Sequence, residues 1–162
     1  MRNQTCCFTG HRRIPAEDYA TISERLEQII RELYRQGIIY YGAGGALGFD
    51  ALAADTVLRL RKELPEIRLI LVLPCLNQTK GWAQKDVEHY DDIKKRADKV
   101  VYTSREYAPG CMHKRNQHLV DYSSVCVAYL THASGGTAYT VGYAREQGMR
   151  VVNVAFSRPS VV

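Results

Sequence analysis

Ile67-Arg68-Leu69-Ile70-Leu71-Val72-Leu73 is the stretch that decides the architecture, because every residue in it except Arg68 is aliphatic. A strand with one wet face alternates apolar and polar residues. An unbroken aliphatic run instead fits a strand covered on both faces, the condition of a parallel sheet held between layers of helices. The run is far below the ~20 residues that a membrane-crossing helix needs.

The flanking sequence switches period in step with that reading. Upstream, Gln4 to Phe8 reads as a first strand. A helix follows, opened by Pro15, Glu17 and Asp18, carrying the apolar stripe Ile22, Leu26, Ile29, Ile30 and Leu33, and ended by Gly37. Ile38 to Tyr41 is strand two and Gly42 to Gly48 a glycine turn. Phe49, Leu52, Ala53, Val57 and Leu60 mark helix two, stopped by Pro65. Downstream, Trp82, Val87, Tyr90, Ile93 and Ala97 suggest helix three, and Lys99 to Tyr102 strand four. Met112, Leu119 and Val120 suggest helix four, Ser124 to Leu130 strand five, Tyr139 to Gln147 helix five and Arg150 to Ala155 strand six. Strands alternating with helices through short links imply right-handed βαβ crossovers. The expected fold is a single α/β domain over residues 1–156, with a doubly wound, mainly parallel, Rossmann-like sheet and helices on both faces. Residues 157–162 are expected to be a frayed tail.

Composition narrows the classes of function. At 162 residues the chain is the size of one domain with a self-sufficient core, and 46% hydrophobic with 24% charged residues is the make-up of a globular protein. The net charge of +5 favours anionic partners. Cys6-Cys7-Phe8 passes directly into Thr9-Gly10-His11-Arg12-Arg13, which does not read as a signal peptide, and no membrane association is expected. Five cysteines without C-x-x-C spacing argue against both a disulfide framework and structural zinc, so cytoplasm with reduced thiols is the expected location. Cys111, His113 and His118 do not have metal-ligand spacing, and no metal or fixed cofactor is expected. A homodimer is the default assembly.

In open α/β sheets, ligands sit outside the carboxyl ends of the strands. The unusual residues fall there: Thr9, Gly10, His11, Arg12 and Arg13 after strand one; Gly42, Gly44, Gly45, Gly48 and Asp50 after strand two; Ser134, Gly135, Gly136 and Thr137 after strand five. Glycine lets backbone N–H groups approach an anion, and a following helix start adds partial positive charge, so the composite reads as a phosphate-binding edge. The third glycine of G-x-G-x-x-G comes one residue late, Leu73-Pro74-Cys75 holds no acid for a ribose, and no Gly-Lys-Ser/Thr occurs. The usual NAD and P-loop readings lose ground accordingly. Asp50 serves equally as a helix-start carboxylate or a ribose contact, and Trp82 as a base platform or a core residue.

Cys7-Phe8-Thr9-Gly10-His11-Arg12, Gly44-Gly45-Ala46-Leu47-Gly48-Phe49-Asp50 and Ser134-Gly135-Gly136-Thr137-Ala138 together resemble the motifs of the SLOG superfamily, and within it the YpsA-like proteins of uncharacterised function. Leu73-Pro74-Cys75, Gly81-Trp82 and Cys111-Met112-His113-Lys114-Arg115-Asn116 fit the same subgroup, and the resemblance runs from about residue 4 to 155. It implies a Rossmann-like fold that binds a nucleotide or nucleotide-derived small molecule. The superfamily also holds the LOG phosphoribohydrolases and the DNA-processing protein DprA. Arg115 stands where the LOG enzymes carry a catalytic Arg. The Ser134–Thr140 stretch, however, lacks their Pro and third Gly, and Val141-Gly142 supplies no Glu.

Three functions follow as expectations. The first is a binding module, in the manner of a sensor, for an ADP-ribose, NAD or nucleoside phosphate ligand. Gly135, Gly136 and Thr137 would hold phosphate, Arg12 or Arg115 would neutralise it, and Asp50 or Asn116 would face ribose. The second is hydrolysis of an N-glycosidic or phosphate-ester bond with Asp50 positioning water and His11 moving a proton. The third is single-stranded DNA binding, which the +5 charge permits but which no basic stripe interleaved with aromatics supports.

Overall fold

Six strands, all parallel, form one sheet in the order β4-β3-β2-β1-β5-β6. The computed structural model describes residues 1–156, so the expected tail at 157–162 lies outside the described residues. A short 3-10 turn over Arg2–Gln4 leads into β1 (Thr5–Gly10), α1 (Ala16–Arg35), β2 (Tyr40–Ala43), α2 (Phe49–Leu60), β3 (Arg68–Leu73) and α3 (Gln84–Arg96). They are followed by β4 (Lys99–Tyr102), α4 (Cys111–Asp121), β5 (Val125–Tyr129), α5 (Gly136–Glu146) and β6 (Arg150–Asn153).

The chain steps outward from β1 to β4, then returns through α4 to place β5 on the free side of β1. Right-handed crossovers in the two directions put helices on opposite faces, and indeed α1, α2 and α3 pack together in one layer while α4 and α5 pack in the other. The strand order therefore reverses between β1 and β5, and the loops at their carboxyl ends diverge to opposite sides.

The aliphatic run behaves as its composition requires. Leu69, Leu71 and Leu73 of β3 enter the core under α1–α3, together with Ile22, Leu26, Ile30 and Leu33 of α1. Val72 and Ile70 enter the smaller cluster on the other face with Cys7, Cys126, Leu119 and Val120. Phe8 stacks on Tyr41 with ring centroids 6.1 Å apart and meets the edge of Phe49 at 6.3 Å, so a single aromatic group ties β1, β2 and α2 together.

Element ends differ from the sequence expectation where backbone hydrogen bonds are claimed by something else. Strand β2 starts at Tyr40 because the Ile38 N–H donates to the Leu33 carbonyl (3.0 Å) to close α1. Strand β1 runs on to Gly10, which pairs with Tyr129 of β5. Helix α3 starts at Gln84 because Trp82 N–H closes a turn onto the Thr79 carbonyl (3.0 Å). Strand β6 ends at Asn153, whose side chain exchanges bonds with Leu130 N–H (3.2 Å) and the Leu130 carbonyl (3.0 Å). Helix α5 starts at Gly136, three residues before its first large side chain.

Candidate functional site

At the carboxyl edge where β1 and β5 diverge lies a cavity of about 310 Å³. The end of β1 and its loop contribute Thr9, Gly10, His11 and Arg12, and the start of α2 contributes Asp50 beside Ala46. Helix α4 adds Met112, Arg115 and Asn116, and the entry into α5 adds Ser134, Gly135, Gly136 and Thr137. Four parts of the chain distant in sequence thus converge on one space, and most of the residues singled out from the sequence line it.

Gly44, Gly45 and Gly48 do not line it; they serve packing beneath it. A side chain at Gly44 would collide with the Arg115 guanidinium and the Asp50 carboxylate, and one at Gly45 would collide with Leu73. Gly48 (φ +77°) lies against the Arg12 backbone, and Gly10 lets the Phe49 ring approach β1. Gly135 and Gly136 are different, since a Cβ at either would meet nothing within 4 Å. Glycines that look alike in sequence therefore have two jobs, and of those in the β1–α1, β2–α2 and β5–α5 loops only Gly135 and Gly136 face open space.

That loop ends in a helix start without a side-chain cap: Gly135 (φ +91°) is the N-cap residue of α5 and no side chain accepts from the first turn. The first N–H groups of a helix need partners, and here they border the cavity with the partial positive charge of the helix start.

Arg115 forms the floor. It is only 5% exposed, and its Nε donates to Asn116 Oδ1 (2.7 Å), Nη1 to the Gly44 carbonyl, and Nη2 makes a long contact of 3.7 Å with the Met112 sulfur. The buried Asp50 carboxylate accepts from the Ala46 N–H at 3.2 Å on the other side of Gly44. Burial raises the Asp50 pKa, opposed by the nearby Arg115 charge and the Ala46 N–H. Burial lowers that of Arg115, with Asp50 working against the shift and Arg12 adding to it by repulsion. Buried Arg115 and exposed Arg12 thus face one buried carboxylate, and the excess of positive charge is one an anion would offset.

His11 hangs from the rim. Its Nε2 accepts the Thr131 N–H at 2.9 Å, which requires an unprotonated Nε2, and its ring stacks on His132 with centroids 3.9 Å apart. Desolvation first, and then His132, lower its pKa. His132 and Met112 also line the cavity and were not singled out as site residues from the sequence, although the position of His132 just beyond strand five was a usable signal. Trp82 is not part of the cavity; it packs edge-on to Tyr90 at 5.5 Å. His113 and His118 pair with Tyr139 (4.4 Å) and Tyr122 (4.5 Å). Among the described residues no group of three or more His, Cys, Asp and Glu side chains comes together as a metal site. None of the described helices is long and apolar enough to cross a membrane.

Residues 7–154 match the family described as YspA SLOG (YpsA). The chain belongs to that family. This YpsA-family chain is 28% identical over 138 residues to the uncharacterised SPbeta prophage-derived protein YoqJ of Bacillus subtilis, covering 77% of the chain and 81% of YoqJ. It is 30% identical over 129 residues to a UPF0398 protein of Halalkalibacterium halodurans, covering 78% and 68%. Among solved structures, DprA of Streptococcus pneumoniae superposes with a TM-score of 0.71 at 15% identity, covering 98% of the chain and 52% of DprA. DprA of Helicobacter pylori, studied for its single-stranded DNA binding mode, gives 0.65 at 17% identity, covering 93% and 64%. The YpsA-family chain thus spans between half and two thirds of the DprA chains, and at these identities the likeness is one of fold.

Proposed function

We propose that this protein binds the phosphoryl group of a nucleotide or nucleotide-derived small molecule in the β1/β5 cavity, as a binding module. What carries the reading is the charge of the site: buried Arg115 and exposed Arg12 oppose a single carboxylate beside the uncapped start of α5. Phosphate oxygens would take the α5 N–H groups and the guanidinium donors, and such charge-assisted hydrogen bonds are about twice as strong as neutral ones. Asn116 and Thr9 remain at the cavity wall to meet ribose hydroxyls.

A hydrolytic reading has less support. Asp50 is the only Asp or Glu among the cavity-lining residues, and its carboxylate already accepts from Ala46 and opposes Arg115. His11 has its Nε2 lone pair taken by Thr131.

The test is calorimetric titration of the wild type and Arg12→Ala with AMP, ADP-ribose and inorganic phosphate, with a single-stranded oligonucleotide as comparison. Arg12 is exposed, so its removal spares the fold. The reading expects phosphate-dependent binding that Arg12→Ala weakens about tenfold, since a hydrogen bond to a charged group contributes ~1.5–3 kcal/mol. Binding that ignores Arg12, or a preference for the oligonucleotide with a steep salt dependence, would overturn it.

A further inference from the structure

A second and larger concavity, about 1050 Å³, opens on the α1–α3 side of the same sheet edge. Its walls come from the start of α1 (Ile14, Pro15, Tyr19), the start of α3 (Lys85, Asp86) and Phe156, and it shares Arg12 with the smaller cavity. The partition between them is thin: Thr131 lines the recess while its N–H holds His11, which lines the cavity. The two chambers thus adjoin at Arg12 along the sheet edge where the strand order reverses.

We infer that the recess is the second half of one binding site, and that the ligand is two-ended: a nucleoside diphosphate derivative of the dinucleotide or ADP-ribose type, with its diphosphate lying across Arg12. This rests on the phosphoryl reading of the smaller cavity. Size argues for it first. Small-molecule pockets span ~300–1,000 Å³, so the cavity at about 310 Å³ suits a phosphoryl group with its sugar, and the remainder of a larger ligand needs the recess. The chemistry of the walls argues for it second. The Tyr19 ring is 47% exposed and offers a stacking face for a base. Phe156 forms the apolar back wall, its ring 5.9 Å from the Arg25 guanidinium. Arg13 and Lys85 can neutralise a second phosphate, and Asp86 can accept from a ribose hydroxyl or an exocyclic amine. A ligand confined to the smaller cavity would reach none of these groups.

The experiment compares the affinities of inorganic phosphate, AMP and ADP-ribose for the wild type, Tyr19→Ala and Lys85→Ala by calorimetry. Both side chains are exposed, so both variants keep the fold. ADP-ribose is expected to bind the wild type about tenfold or more tighter than AMP, from one added stacking contact and one added ion pair. Each variant should remove most of that advantage and leave AMP within about twofold. Equal affinities for AMP and ADP-ribose, variants without effect on ADP-ribose, or variants that weaken both ligands equally would overturn the two-ended site while leaving the phosphoryl cavity intact. Failure of the wild type to bind all three probes would overturn the phosphoryl reading itself and this extension with it.

Discussion

Replacing Arg115 by Ala should expose how much of the site's architecture depends on one buried charge. The guanidinium donates to the Gly44 carbonyl and Asn116 Oδ1 and opposes Asp50, and all three are left behind when it goes. Gly44 and Asp50 are themselves buried, so water cannot fully replace the lost partners. Breaking a buried charge pair from one side costs about 3–5 kcal/mol. In a domain of this size each kcal/mol lowers Tm by ~2–4 °C, which gives a fall of roughly 6–20 °C. Two further signs follow. Asp50 has a folded pKa above its unfolded value, so its contribution is present at low pH and lost as pH rises through the folded pKa. Losing Arg115 raises that pKa further, so the deficit of Arg115→Ala should be larger at pH 7 than at pH 4.5. Adding Asp50→Asn to Arg115→Ala should cost less than Asp50→Asn costs alone, with a coupling of at least ~1 kcal/mol. Urea unfolding of the four proteins at both pH values measures all of this. A single variant within ~0.5 kcal/mol of wild type, or additive effects in the double variant, would mean that Arg115 and Asp50 are not coupled, because charges buried together cannot be indifferent to the loss of the partner.

The remaining predictions concern the rim and the glycines. His11 has a lowered folded pKa, so its contribution is complete above about pH 6.5 and lost as pH falls below it; His11→Gln should flatten the stability curve between about pH 6.5 and 5, and parallel curves would contradict this. Gly48→Ala should cost more than ~2 kcal/mol in thermal or urea unfolding, since φ is +77° and the Arg12 backbone fills the space; a neutral substitution would mean the loop relaxes freely. Gly136→Ala should do the opposite, gaining up to ~1 kcal/mol of stability from helix propensity while weakening AMP binding through a methyl standing in the open cradle. Undiminished AMP affinity in that variant would place the phosphoryl group elsewhere.

The fold was legible because β3 carries its evidence in its own composition: an aliphatic strand with two buried faces can hardly belong to anything but a covered parallel sheet. Strand order was not, since nothing local says that β5 returns to the free side of β1; that is a property of the whole sheet. The convergence of Thr9–Arg12, Asp50, Arg115 and Ser134–Thr137 on one cavity could be anticipated, because loops at the carboxyl ends of neighbouring strands meet at a switch point. The division among the glycines could not. Gly44 and Gly136 are equivalent in sequence, and only the side chain of Arg115 arriving from α4 shows that one is packed and the other open. Likewise β2 began late because the Ile38 N–H closes α1, a competition that residue preferences alone do not reveal.

An amide-resolved NMR titration with AMP tests the main-chain cradle most directly. Saturable shifts are expected at the Gly136, Thr137 and Ala138 amides, accompanied by the Arg115 side chain and absent from the far ends of the strands. Shifts confined to residues away from the α5 start, or no saturable change at any amide, would contradict it.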